Sequence, residues 1–316
     1  MLQYLVILLD DMSVSFCNYQ NTKISSRLIP IDVLHRGIIF AMKHNLNIQF
    51  VYPETDLPSE YQEEIASIDH TRIAPRILEG QDEKVIVIND LHGKKLSDFP
   101  REGSVVLRTK IGKLSTNIEF IGDILAQVER LNIILMDLEL FSENDFAVYK
   151  DFLAKMSEII FRLYEAGAMP QLNLLTDRLF LEKMNNCGAG DTTLTLAPNG
   201  KFYLCPAFYI SDENQCVGNL EEGVSIKNQQ LYTLSYAPIC RTCDAYQCRR
   251  CIWQNVNTTS DCNTPSHEQC VVSHLERNAS RELLNRLINA GIISEQHKVI
   301  PPIDYLDPFN NYDKWK

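Results

Sequence analysis

The chain has no cysteine between Cys17 and Cys187, although ten occur in its 316 residues. One thiol cannot retain an iron–sulfur cluster, so the first half of the chain is expected to carry no such centre of its own. Basic residues are also scarce: 30 Lys and Arg face 41 Asp and Glu, a net charge of −11. That balance argues against nucleic acid as partner, which would require a basic face. No apolar run reaches the roughly 18 residues of a membrane span. The opening run Met1 to Leu9 lacks a basic start and a small-residue cleavage site, and Asp10 and Asp11 follow at once. It reads as a buried strand rather than a signal peptide. The location expected is cytoplasmic, where thiols stay reduced and able to bind metal.

With 45% hydrophobic residues and only 13 Gly and 13 Pro, the chain can bury a sizeable core, as one large domain plus a small one. Apolar runs at 3–9, 47–52, 85–88, 104–108, 132–137 and 171–175 read as strands. Helical periodicity separates several of them: after Pro30, after Ser59, over 115–131, and from Ser142 to Gly167. Residues 71–84 read as an irregular connection, and 280–290 as a helix stopped by Gly291. The tail from Pro301 to Lys316 reads as extended. Alternation of this kind predicts an α/β fold with a parallel sheet and right-handed crossovers. Six units fall short of the eight in a closed barrel, so an open, partial (β/α)6 barrel is expected over residues 1–180.

What the chain does have is a concentration of thiols. Nine of the ten cysteines lie between Cys187 and Cys270. Cys240 and Cys243, and again Cys248 and Cys251, are separated by two residues, the spacing that turns two sulfurs toward one metal or cluster. Cys187 and Cys205 flank an alternating run, an Asn199-Gly200 turn and a second run, the signature of a hairpin that brings them together at its open end. Six thiolates exceed one four-coordinate site, so two sites are expected.

Cys187, Gly200, Cys205-Pro206, Val217 to Leu220, the four-cysteine knot and the late Cys270 together resemble the SPASM domain of radical SAM enzymes that modify peptides and proteins. The knot departs from the family, with four and two intervening residues where five and three are usual. The resemblance implies a SPASM domain over 181–275, with a C-terminal helix and tail over 276–316. It implies one auxiliary [4Fe–4S] cluster on Cys240, Cys243, Cys248 and Cys270, and part of a second on Cys187, Cys205 and Cys251. Residues 181–184 offer no thiol for the second, which leaves its fourth iron open or met by Cys262 or Cys216. Zinc is the alternative occupant.

The same resemblance makes the first domain a barrel of radical SAM type, yet the loop after its first strand, Asp10 to Gln20, holds Cys17 alone where such enzymes carry three cysteines. Val51-Tyr52-Pro53-Glu54 stands where the family has a Gly-Gly-Glu stretch. Binding and cleavage of S-adenosylmethionine (SAM) are therefore not expected. The opening Leu8 to Cys17 and the strand Asn47 to Pro53 are similar to CXXX-repeat peptide maturases. That similarity implies an accessory partner of an active radical SAM maturase, a heterodimer, acting on a cysteine-repeat ribosomal peptide. Alternatives are a zinc-stabilised peptide-binding scaffold, or a maturase with SAM-independent chemistry at Asp90 and His92. Asp137 and Glu139 form a weaker carboxylate pair, Cys17 is a loop thiol or a residual functional one, and Arg241, Arg249 and Arg250 read as solvated charge.

Overall fold

The structure is a computed structural model describing residues 2–76, 85–181, 184, 186–248 and 250–294. In chain order the elements are β1 (Tyr4–Leu8), α1 (Ile31–Lys43), β2 (Asn47–Val51), α2 (Ser59–Ala66), β3 (His70–Ala74), β4 (Val85–Ile88) and β5 (Ser104–Thr109). Next come α3 (Ile111–Thr116), α4 (Ile118–Gln127), β6 (Arg130–Leu135), α5 (Glu143–Glu165) and β7 (Gln171–Leu172). The cysteine-rich part adds β8 (Thr193–Leu196), β9 (Phe202–Tyr203), α6 (Pro206–Ser211), β10 (Gly218–Asn219), β11 (Gly223–Val224), α7 (Ile252–Thr259) and α8 (His267–Asn289).

Strands β1 to β7 lie side by side in sequence order, all parallel, and among the described residues the sheet ends at β7 without closing. On its other side β1 pairs in parallel with β8, which pairs antiparallel with β9. The mostly parallel α/β sheet expected from the alternation is present. Its run from β1 to β7 holds one strand more than the six predicted, because His70–Ala74 pairs with β2 where an irregular connection was read. Apolar content there is low, and Arg72 interrupts the pattern; stacking of its guanidinium 4.0 Å from the Tyr52 ring centre lets it lie buried in a strand.

Both faces of the sheet are covered, as parallel sheets require. Leu5 and Ile7 of β1 pack with Leu34, Ile38 and Ala41 of α1, while Val6 and Leu8 point to the opposite face. Farther along, Val105 and Leu107 of β5 pack with α4, α5 and α8; Val106 faces the other way. Arg108, two residues beyond Val106, therefore emerges on the side occupied by the loop after β1.

Two helix readings change. The stretch 115–131 is not one helix: Asn117 (ψ 22°) divides α3 from α4, and the chain has turned into β6 by Arg130. Asp137 makes the earlier start possible by accepting from the Ile111 amide. The last helix begins at His267 rather than 280, capped by the Ser266 hydroxyl, and so lies across the 275/276 boundary drawn from sequence. Its end is as read, with Gly291 at φ 71°. The Ser142 capping box that opens α5 is also present. The tail 301–316 lies outside the described residues.

Candidate metal centre

The β8–β9 hairpin turns through Pro198-Asn199-Gly200, with the Gly200 amide donating to the Ala197 carbonyl at 2.9 Å and Gly200 at φ 75°. This is a type I turn closed by a left-handed glycine. Upstream, the Gly188 carbonyl (Gly188 at φ 66°) accepts from the amides of Asp191, Thr192 and Thr193, which curls Cys187 back beside the hairpin. Downstream, Cys205 is the N-cap of α6 with Pro206 at the first helical position. Cys251 is likewise the N-cap of α7.

Cys187, Cys205 and Cys251 line one cavity of about 260 Å³, together with Val6, Phe16, Ala189, Ala207 and Trp253. Burial pushes the Cys205 thiol well above its ordinary range, with the charges of Cys251 and Cys187 adding to it. Burial also pushes Cys251 up to about 12, with Cys187 and Cys17 adding to the effect. Cys17 lines the same cavity, which the sequence reading did not anticipate. Cys216 stands beside Tyr203 and Cys262 beside Tyr232, and neither lines it.

The loop carrying Cys17 is buried and fastened. Asp10, Asp11, Ser13 and Ser15 are all at most 5% exposed. Arg108, 3% exposed, donates from Nε to the Cys17 carbonyl at 3.0 Å and from its terminal nitrogens to the Tyr19 carbonyl (2.5 Å) and Asn89 (2.7 Å). Asn18 donates to Gln254 of α7 at 2.6 Å, and Gln254 in turn donates to Glu139.

The second group of thiols is the knot. Cys240, Cys243 and Cys248 lie within reach of one another's charge; burial first, and then that charge, raises Cys240 to about 12. The knot is braced by Asp244, whose carboxylate holds Arg277 at 2.7 Å and also Arg281, while its carbonyl accepts from Arg178. Burial would raise Asp244, but these guanidinium groups hold it below the ordinary value. Arg250 is not the solvated charge expected: it is 2% exposed and donates to the carbonyls of Tyr232 and Thr233 and to Asn263. Arg241 is exposed as expected, and Arg249 lies outside the described residues. Helix α8 brings its first turns against the knot, with Gln269 Nε2 at 3.9 Å from the Cys248 sulfur and His274 Nε2 at 3.9 Å from that of Cys243. Cys270 lies one turn before His274 on this helix, the i, i+4 relation that puts both on one face. His274 carries no sequence signal, because its partner is thirty-one residues away.

The other candidates from sequence have structural employment. Asp90 accepts from the amides of Leu91 and His92 in a turn, with His92 exposed. Asp137 caps α3, and burial raises Glu139 despite hydrogen bonds from Ser266 and Gln254.

Among the described residues, no three His, Cys, Asp or Glu side chains are gathered closely enough to hold a single metal ion. A four-iron cluster takes soft thiolates around a larger body. Thiols grouped about a cavity, joined by no disulfide, fit that chemistry.

No family model matches the sequence, and no curated protein matches it. Solved structures do. Native anSMEcpe with bound AdoMet superimposes with a TM-score of 0.62 at 12% identity, covering 90% of this chain and 99% of that one. A histidine-tagged form with bound AdoMet gives 0.59 at 14% identity, covering 91% and 99%. The form with AdoMet and the Cp18Cys peptide gives 0.59 at 11% identity, covering 92% and 99%. anSMEcpe is a radical SAM/SPASM enzyme, and this chain shares its fold.

Proposed function

We propose that this chain is a SPASM protein that does not cleave S-adenosylmethionine and that serves an active radical SAM maturase as its partner in modifying a cysteine-repeat peptide. Cys240, Cys243, Cys248 and Cys270 would hold one auxiliary [4Fe–4S] cluster, and Cys187, Cys205 and Cys251 a second. Such clusters supply one-electron transfer when bound. The observation that carries the reading is the loop after β1. It offers one thiol, and Arg108 and Asn18 tie its backbone into the protein interior, leaving no second or third cysteine to retain a SAM-cleaving cluster. Four thiols lining one cavity support a cluster there. The likeness to a structure holding the Cp18Cys peptide supports a peptide as the molecule acted upon. A heterodimer with the maturase and a cytoplasmic location belong to the same proposal.

Anaerobic purification followed by iron, sulfide and zinc analysis tests the cofactor. Iron and acid-labile sulfide in equal amounts are expected, and zinc alone rejects the reading. Incubation with S-adenosylmethionine and a low-potential reductant should yield no 5′-deoxyadenosine from this chain alone. Its formation would overturn the non-cleaving role.

A further inference from the structure

The Cys187, Cys205 and Cys251 group leaves a fourth thiolate position to be filled, and the preceding residues Leu181 and Met184 supply none. We propose that Cys17, from the loop after β1, is the fourth thiolate of this site. The inference rests on the cluster reading above and goes beyond it in joining the two ends of the chain at one centre.

The cavity wall carries the argument. Cys17, Cys187, Cys205 and Cys251 all line the same 260 Å³ space, together with apolar side chains such as Val6, Phe16 and Trp253 and the polar Asn18, Gln49 and Thr193. Cys216 and Cys262 are not among the residues that line it. The placement of Cys17 is enforced by neighbours on both sides. Arg108 grips its carbonyl and that of Tyr19. Asn18 is tied to Gln254, three residues after Cys251, at 2.6 Å. Asn21 closes the loop on itself by donating to the carbonyls of Asp11 (2.8 Å) and Ser13 (3.0 Å). A thiol held this way meets the cavity with little ordering left to do, and the Arg108 guanidinium offers a fixed cation beside an anionic centre. Ligation exchanges the Cys17 S–H bond for an S–Fe bond and releases the proton to solvent. There is no change of oxidation state.

The test uses the full chain, reconstituted anaerobically with iron and sulfide, as wild type, Cys17→Ser, Cys17→Ala and Cys216→Ala. Wild type and Cys216→Ala should carry two four-iron clusters. Both Cys17 variants should lose iron from one, and on mild oxidation show by electron paramagnetic resonance the three-iron form that a missing thiolate exposes. Serine keeps the side-chain size, so a matching thermal unfolding curve for Cys17→Ser separates lost ligation from lost folding. Wild-type iron content and an unchanged spectrum in both Cys17 variants would overturn this inference and leave the cluster reading standing. The three-iron form in Cys216→Ala instead would also overturn it. A wild type that takes up no iron would bring down both.

Discussion

The Arg108 side chain donates to the main-chain carbonyl of Cys17 at 3.0 Å, across ninety-one positions of sequence. It places a buried guanidinium under the loop that carries Cys17. Arg108→Met should remove the donors to Cys17 and Tyr19 and cost about 1–3 kcal/mol, the range for hydrogen bonds from a charged group. Hydrogen exchange should quicken at the amides of residues 13–21 more than in β5 itself, with Arg108→Lys intermediate because it keeps the charge and loses the fork.

Asp244 is 1% exposed and faces Arg277 and Arg281 at once. Asp244→Asn keeps the shape and removes the charge, leaving buried cations without their carboxylate. A loss of about 3–5 kcal/mol is expected, read by urea unfolding.

Gly37 of α1 sits against Leu196 of β8, where an added Cβ would lie 2.4 Å from a Leu196 methyl carbon. Alanine should gain about 1 kcal/mol of helix propensity. Overpacking a fully buried neighbour costs about 1–3 kcal/mol, so the clash should win and Gly37→Ala should lower the melting temperature.

Glu213 takes Lys23 at 2.5 Å and Arg27 at 2.9 Å, and these hydrogen bonds hold its carboxyl down from 4.5 to about 2. A carboxyl depressed in the folded state adds stability above its unfolded value, and that stability is lost as pH falls through the folded one. The melting-temperature gap between wild type and Glu213→Gln should therefore be full above about pH 5 and shrink progressively toward pH 2. The side chain is 37% exposed, so the gap should be modest and should narrow further in high salt.

Much of this protein can be read along the chain. Strand runs, the Ser142 cap, the Asn199-Gly200 hairpin and the paired cysteines are local signals, each decided within a dozen residues, and all recur in the fold. The strand at His70–Ala74 escaped because its partner β2, rather than its own composition, makes it a strand. Sequence spacing alone raised the expectation that the thiols would share sites, and Cys187, Cys205 and Cys251 line one cavity. Which others would meet them was decided by the parallel pairing of β1 with β8, which lays the loop after β1 beside the hairpin, and by α8, which carries His274 back to Cys243. Such contacts join residues far apart in sequence. They exist only once the sheet has chosen its strand order, so no periodicity or motif along the chain encodes them.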